Sequence, residues 1–279
     1  MFEALQLGFM RNALAAGILV SIACGIIGAY VVVNRIVFLS GGIAHAAYGG
    51  IGLAYLVGSD PTLTALGFSL LSSMVMGVVH RETSERSDTI IGVIWAIGMA
   101  LGVVFVDLTP GYKADLMSYL FGSILAVPQR DLWLMLGVDL LVLLVIAVLY
   151  KELLAVSFDE TYATVRNVPV ELVYYSLLAL TALTVVMMMR IVGLIMVIAL
   201  LTIPAAISGQ FVRGMRKMML SSSLLGIVFT VVGLALSYAL NLTSGATIIL
   251  VAATGYLVSL VVRVLVEKRR RRTRTLSAT

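Results

Sequence analysis

An all-α fold, a polytopic membrane bundle of eight or nine transmembrane helices, is predicted by two features of the sequence. The chain has 279 residues, of which 61% are hydrophobic and only 12% charged, whereas a soluble domain carries about a quarter charged residues. Its mean hydropathy is +1.10. The apolar residues also fall into runs of about 20, which is the helix length that crosses a bilayer.

These runs predict nine spans, or eight if the short third run or one neighbour only dips into the membrane. The first run has no small-residue cleavage site, so we interpret it as a span rather than a signal peptide. Residues 1–265 form one transmembrane domain, and residues 266–279 form a basic tail. The predicted spans lie near 10–33, 38–57, 61–79, 89–107, 131–150, 170–189, 191–211, 219–240 and 244–263.

The distribution of basic residues predicts the orientation of the spans. With the N-terminus outside and the C-terminus inside, fifteen Lys and Arg residues are cytoplasmic and four are outside. Cytoplasmic loops carry the excess of Lys and Arg, and this bias sets orientation. The same rule explains the basic tail "KRRRRTR" as a cytoplasmic end, so nucleic-acid binding is not needed to account for its charge. A basic tail next to a membrane span contacts anionic lipid headgroups.

One histidine lies inside the second run. In "SGGIAHAAYGGIGLAYLVG" (40–58), His45 has Gly41 one turn before it and Gly49 one turn after it on the same helix face. Ionisable residues inside a span are costly and face a bundle interior or a water-filled path. Two interpretations stay open: a buried imidazole bonded to a carbonyl, or a metal ligand whose partners come from other helices or a second copy.

Three other positions inside spans are candidates. Asp139 is a carboxylate within the fifth run, where it would neutralise a cation, join a proton path or simply bond a polar neighbour. Pro204 removes one helical hydrogen bond from the seventh run. The freed carbonyl would either line an ion path or belong to a packing kink in which Thr202 satisfies the backbone.

The stretch around His45 resembles the second helix of the membrane permeases of zinc, manganese and iron ABC importers. That family's usual pattern there is Gly-Asp-Ala-x-Ser-His-Ala-x-x-Pro-Gly, so Gly41 stands for the aspartate and Gly49 for the proline. Five further stretches resemble that family's segments in the same order, and the likeness covers about residues 35–262. They are "SDTIIGVIWAIGMALGVVF" (87–105), "ADLMSYLFGSILAV" (114–127), "KELLAVSFDETYATVRNVP" (151–169), "VGLIMVIALLTIPAAI" (192–207) and "LNLTSGATIILVAA" (240–253).

The resemblance implies a transport subunit in the plasma membrane of a prokaryote, not an enzyme. It would work as a homodimer with cytoplasmic ATP-binding subunits and an extracytoplasmic metal-binding protein. The cargo would be a divalent ion, zinc or manganese, or iron, with no permanently bound cofactor. His45 would be a metal ligand, and without the family's aspartate the remaining site leans toward nitrogen or softer donors. The sequence has no Walker A pattern, so ATP would be hydrolysed on a partner chain.

The resemblance also implies that residues 151–169 form the coupling segment that docks on the ATPase. From the residues alone, this stretch is an amphipathic interfacial helix. Apolar anchors with a charged rim also suit docking in a groove. The residues implied are Leu154, Ser157, Phe158, Asp159 and Glu160.

Rival functions remain at this point. A proton-coupled secondary transporter would use His45 and Asp139, and a permease of the same family would carry a non-metal cargo. An intramembrane enzyme would need a catalytic constellation that the sequence does not supply. Tyr112, Lys113 and Asp115, in an outer loop, would contact the delivery protein or be solvated.

Overall fold

A computed structural model describes residues 6–83, 87–110, 119–120 and 122–276. Within these residues the fold is all-α, with eleven α-helices and a short 3₁₀ turn at Ile124–Ala126. The helices are α1 (Gly8–Val33), α2 (Val37–Val57), α3 (Pro61–Glu82), α4 (Ser87–Leu108), α5 (Gln129–Val148), α6 (Tyr150–Phe158), α7 (Glu160–Val165), α8 (Val170–Val192), α9 (Leu194–Phe211), α10 (Met215–Leu240) and α11 (Ser244–Leu276).

Nine helices in the described part of the chain are long and apolar enough to cross a membrane; only α6 and α7 are too short. The predicted bundle is therefore confirmed, and the count is nine. The short third run is a full span in α3, which continues beyond residue 79 to Glu82, and Asp60 caps its start. The Asp60 carboxylate accepts hydrogen bonds from the backbone of Thr62 and Leu63 at 2.8 and 3.0 Å. These bonds, that from Leu63 foremost, lower the pKa of Asp60.

Local backbone geometry sets several of the helix boundaries. Helix α2 ends at Gly58, whose φ is 71°, a left-handed conformation that glycine adopts without strain. Gly193, with a φ of 88°, is the single residue between α8 and α9. Helix α11 continues past residue 266, the predicted start of the tail, as far as Leu276.

The bundle has two groups of helices joined by α8. On one side, α2 packs against α3 and α4. On the other side, α1 packs against α9 and α10, and α11 packs against α9 and α10. Helix α8 contacts both groups, and α5 lies against α1 and α8. The site residues of α2 and those of α5 therefore belong to different parts of the bundle.

Polar contacts tie the helix ends together at each of the two membrane faces. At the face that carries α6, called the α6 face below, Asn34 donates to Ser157 and Arg81 pairs with Glu160. At the opposite face Arg190 donates to Thr62 at 2.8 Å. The ends of α1, α3 and α5 thus lie at the α6 face, and the end of α8 lies at the opposite face, as alternating spans require.

Candidate functional site

His45 lies near the middle of α2, and its imidazole stacks on an indole ring. The ring centroids of His45 and Trp95 are 4.1 Å apart and the planes are inclined by 16°. Phe38 contacts the same indole, with centroids 5.9 Å apart. The Trp95 Nε1–H points to the Met99 sulfur at 3.2 Å. Helix α4 therefore holds one flat face of the imidazole in a fixed orientation.

The Nδ1 atom of His45 is buried and has no hydrogen-bond partner among the described residues. A histidine bonded to a carbonyl was one of the two interpretations of the sequence, and Nδ1 makes no such bond to the described residues. A buried polar atom without a partner costs about 1–3 kcal/mol. Such atoms in a native fold call for an explanation, and an absent ligand is one of those explanations.

The glycines around His45 have different surroundings. A Cβ built on Gly41 would meet nothing within 4 Å, whereas one on Gly49 would lie 2.7 Å from the Phe68 ring. A Cβ on Gly52 would overlap the backbone of Gly102 in α4. Small residues let membrane helices approach closely, and the contacts of Gly49 and Gly52 are of this kind. Of these three glycines, only Gly41, one turn before His45, has open space where a side chain would lie.

Asp139 lies at mid-depth in α5 and is 3% exposed. Neither of its carboxyl oxygens has a hydrogen-bond partner in the described part of the chain. It lies within electrostatic reach of the buried Cys24 thiol of α1. Helix α5 packs on α1 and α8, whereas α2 packs chiefly on α3 and α4, and a joint role of Asp139 and His45 stays a prediction.

Pro204 lies inside α9, which runs from Leu194 to Phe211 as one helix. The Thr202 hydroxyl donates to the Ile198 carbonyl at 2.8 Å. Pro204 itself is buried. Close packing surrounds this part of α9, because a Cβ on Gly28 of α1 would overlap the Leu201 carbonyl. A path lined by Thr202 and Pro204 stays a prediction.

The predicted coupling segment is a helix, a break and a second helix. Asp159 forms the break, and its carboxylate caps α7 by accepting from the Tyr162 backbone at 2.8 Å. Leu153 and Ala163 are buried against the bundle, and Leu154 is half-buried. Phe158, Tyr162 and Val165 are 65, 51 and 77% exposed. The segment thus presents three apolar side chains outward.

Three side-chain contacts hold this segment against the ends of the membrane-spanning helices. Asn34 Nδ2 donates to Ser157 Oγ at 3.0 Å, and Arg81 pairs with Glu160 at 2.7 Å. The Arg216 guanidinium lies 4.7 Å from the Tyr150 ring centroid. Ser157 and Glu160, which the sequence placed in a docking rim, therefore make contacts within the chain. Tyr112, Lys113 and Asp115 lie outside the described residues.

Sequence reasoning missed Trp95, Tyr162 and Val165. Tryptophan is enriched at membrane interfaces, so an indole in the middle of the fourth apolar run is unusual. This position was a signal that a polar side chain lies next to the indole. No group of three or more His, Cys, Asp or Glu residues able to hold a metal occurs in the part of the chain that the structure describes. Among the described residues, no group of three or more such side chains forms around His45, and its role as a metal ligand stays a prediction.

The chain was compared with known proteins. Residues 6–263 match the family model described as the ABC 3 transport family. An uncharacterized membrane protein of Synechocystis is 60% identical over 94% of both chains. The manganese import system permease protein ScaB of Streptococcus gordonii is 34% identical over 90% of both chains.

Two solved structures share the fold. PsaBC from Streptococcus pneumoniae, solved in complex with a Fab, has a TM-score of 0.83 and 33% identity, covering 92% of this chain and 93% of its own. An inward-facing putative metal-chelate type ABC transporter has a TM-score of 0.70 at 16% identity, covering 90% of this chain and 85% of its own. With nine apolar helices and a family match over nearly its whole length, the chain is a multi-pass membrane protein that belongs to the ABC 3 transport family.

Proposed function

We propose that this chain is the permease subunit of an ATP-driven importer of a divalent transition-metal ion, zinc or manganese, or iron. Membership of the family supports this proposal, as do the relatives named as manganese import permeases. The chain would lie in the plasma membrane of a prokaryote. An extracytoplasmic metal-binding protein would deliver the ion to the opposite face, away from α6.

The observation that carries the proposal is the unpartnered Nδ1 of His45, a residue one helical turn after Gly41, where a Cβ would meet nothing within 4 Å. A single imidazole is an incomplete metal site, since zinc takes three or four ligands. We propose that a second copy of the chain brings a second His45 and that the two copies enclose the path. Weak, shared coordination suits transport, because an ion that binds must also leave.

Coupling to ATP hydrolysis would run through α6 and α7. Phe158, Tyr162 and Val165 would dock in a groove of a cytoplasmic ATPase subunit, and their exposure supports this role. The Asn34–Ser157 and Arg81–Glu160 contacts would pass motion of this segment to α1 and α3. The positive-inside count supports placing the α6 face in the cytoplasm.

The first test is uptake of zinc, manganese, iron and cobalt by a metal-starved host. The host carries the chain, its ATPase and its binding protein. We expect His45→Ala to lower uptake of one of these metals about tenfold or more, because it removes the ligand. The matched control is His80→Ala, the chain's other histidine, at the end of α3. Equal uptake by both variants would remove His45 from the site, and no metal uptake at all would indicate a non-metal cargo.

A second experiment tests coupling. Phe158→Ala removes an exposed anchor, so we expect it to lower co-purification of the ATPase and metal-stimulated ATP hydrolysis several-fold, as loss of an interface anchor does. Thr254→Ala is the control, because this exposed hydroxyl bonds only the Leu250 carbonyl of its own helix. Full ATPase binding by the Phe158 variant would contradict docking through this residue.

The proton-coupled alternative rests on one observation, the unpartnered carboxyl of Asp139. Under this alternative, a pH gradient would drive metal uptake without any ATPase, and Asp139→Asn would abolish that uptake. Uptake that needs the ATPase and survives Asp139→Asn would exclude this alternative. The same variant also tests Asp139 as a group that balances the charge of the cation.

A further inference from the structure

A groove of about 640 Å³ lies between α1, α5 and α10. Its walls are mainly aliphatic, and several of their side chains are exposed at the bundle surface: Leu143 is 44%, Leu220 65% and Leu224 54% exposed. The volume is that of a ligand pocket. The walls belong to three membrane-spanning helices, so the groove faces lipid rather than an aqueous compartment.

The depth of the groove corresponds to one leaflet of a bilayer. Along α10 its lining begins at Arg216 and ends at Ile227, a rise of about 16 Å at 1.5 Å per residue. The hydrocarbon core of a bilayer is about 30 Å thick, so the groove runs from the membrane surface to the midplane. On α5 the lining lies in the last turns, which end at the same face.

A single cationic group stands at the surface end of the groove. The Arg216 guanidinium stacks over the Tyr150 ring, 4.7 Å from its centroid, and this contact leaves the N–H edge of the guanidinium available. No carboxylate among the described residues pairs with Arg216. The groove therefore combines an apolar slot of leaflet depth with an oriented arginine at the headgroup level.

We propose that this groove binds one anionic phospholipid, with an acyl chain along α10 and the phosphate on Arg216. An acyl chain is the apolar ligand that a membrane supplies at this depth, and a guanidinium binds phosphate oxygens through paired hydrogen bonds. Basic pockets between spans are known to take lipid headgroups. The site goes beyond the proposed transport function, and only its assignment to the cytoplasmic leaflet rests on the orientation proposed above.

The position of Tyr150 gives this lipid a structural role. Tyr150 begins α6, directly after α5, so a phosphate on Arg216 lies beside the first turn of the segment that faces the cytoplasm in our proposal. A bound lipid would hold the junction of α5 and α6 against the start of α10. Anionic lipid is then expected to stabilise the whole bundle rather than α6 alone.

The test uses the purified full-length chain in detergent, without any partner, so its outcome is independent of transport. Native mass spectrometry follows titration with phosphatidylglycerol, and phosphatidylcholine with the same acyl chains serves as the neutral comparison. We expect one tightly held phosphatidylglycerol per chain, weakened about tenfold by Arg216→Ala. Lys217→Ala, which removes the neighbouring charge outside the groove, is expected to leave this binding unchanged.

A second variant separates lost binding from misfolding. Leu143→Trp fills the groove from an exposed position, so it is expected to keep the thermal midpoint of the apo protein and still exclude the lipid. Equal retention of both lipids, or equal losses for Arg216→Ala and Lys217→Ala, would overturn the proposal. Binding of glycerol phosphate as strong as that of the lipid would show a phosphate site without a chain slot. Retention of detergent alone would show that no lipid site exists.

Discussion

The two ends of α2 share a glycine-rich composition but serve different purposes. Around Gly49, Gly50 and Gly52 the helix lies in direct contact with α3 and α4, and a Cβ on Gly50 would be 2.6 Å from the Ala65 Cα. One turn before His45, Gly41 has nothing within 4 Å of such an atom. The closed end lets helices approach, whereas the open end is open at Gly41 alone, because a Cβ on the adjacent Gly42 would be 2.8 Å from the Ile91 side chain.

This difference shows that a glycine in a membrane helix is not by itself a packing signal. At the closed end a neighbouring helix occupies the space that a side chain would take. The stability of the bundle depends on this close contact. At Gly41, in the open end, no neighbouring helix lies where the side chain would be. Substitutions at the two ends are therefore expected to fail in different ways.

The largest effect is expected from Gly52→Val. A side chain there would meet the Gly102 backbone, which cannot move aside as a flexible side chain would. Overpacking of this kind costs about 3 kcal/mol or more, so we expect a large drop in thermal midpoint and poor recovery of folded protein. Gly67→Val, at an open glycine of α3, is the control and should keep the midpoint. Equal midpoints would show that α2 and α4 separate easily.

An intermediate effect is expected from Trp95→Leu at the open end. The substitution keeps the site apolar but removes the ring that orients the His45 imidazole. Loss of a group that orients a metal ligand costs about tenfold in affinity, so metal uptake should fall by that factor while the thermal midpoint changes little. Trp95→Phe should restore most of the uptake. No rescue by phenylalanine would argue for a packing role alone.

The smallest effect is expected from Gly41→Asp. The open space accepts the side chain, and a carboxylate one turn before His45 adds a hard oxygen donor beside the imidazole. We expect the ratio of manganese to zinc uptake to rise about fivefold, the change that roughly 1 kcal/mol produces. Gly41→Asn is the matched control without charge. The same ratio for both variants would place residue 41 outside the path.

Much of the architecture was predictable because it depends on composition along the chain. Nine helices agree with nine apolar runs, since span length follows from bilayer thickness. The third run was underestimated because α3 continues past the last apolar residues through His80 and Arg81 to Glu82. Helix α11 continues to Leu276, and a basic cytoplasmic tail at residues 266–279 stays a prediction.

The candidate site was only half predictable. His45 was recognisable because an ionisable residue in an apolar run is rare and costly. Its stacking partner Trp95 was not, because the two residues are on different helices and only the packing of α2 on α4 brings the rings together. The coupling segment was recognised as amphipathic, yet Glu160 belongs to an ion pair with Arg81, 79 residues away.

The sequence alone thus determined the membrane class, the helix lengths, the bias of positive charge and the position of His45. These properties depend on local composition, which a bilayer selects directly. Tertiary structure alone decided which glycines contact a neighbouring helix and which aromatic ring stacks on His45. It also placed Arg216 at the surface end of a groove as deep as one leaflet. These depend on contacts between distant helices, because in lipid it is side-chain packing that selects helix neighbours.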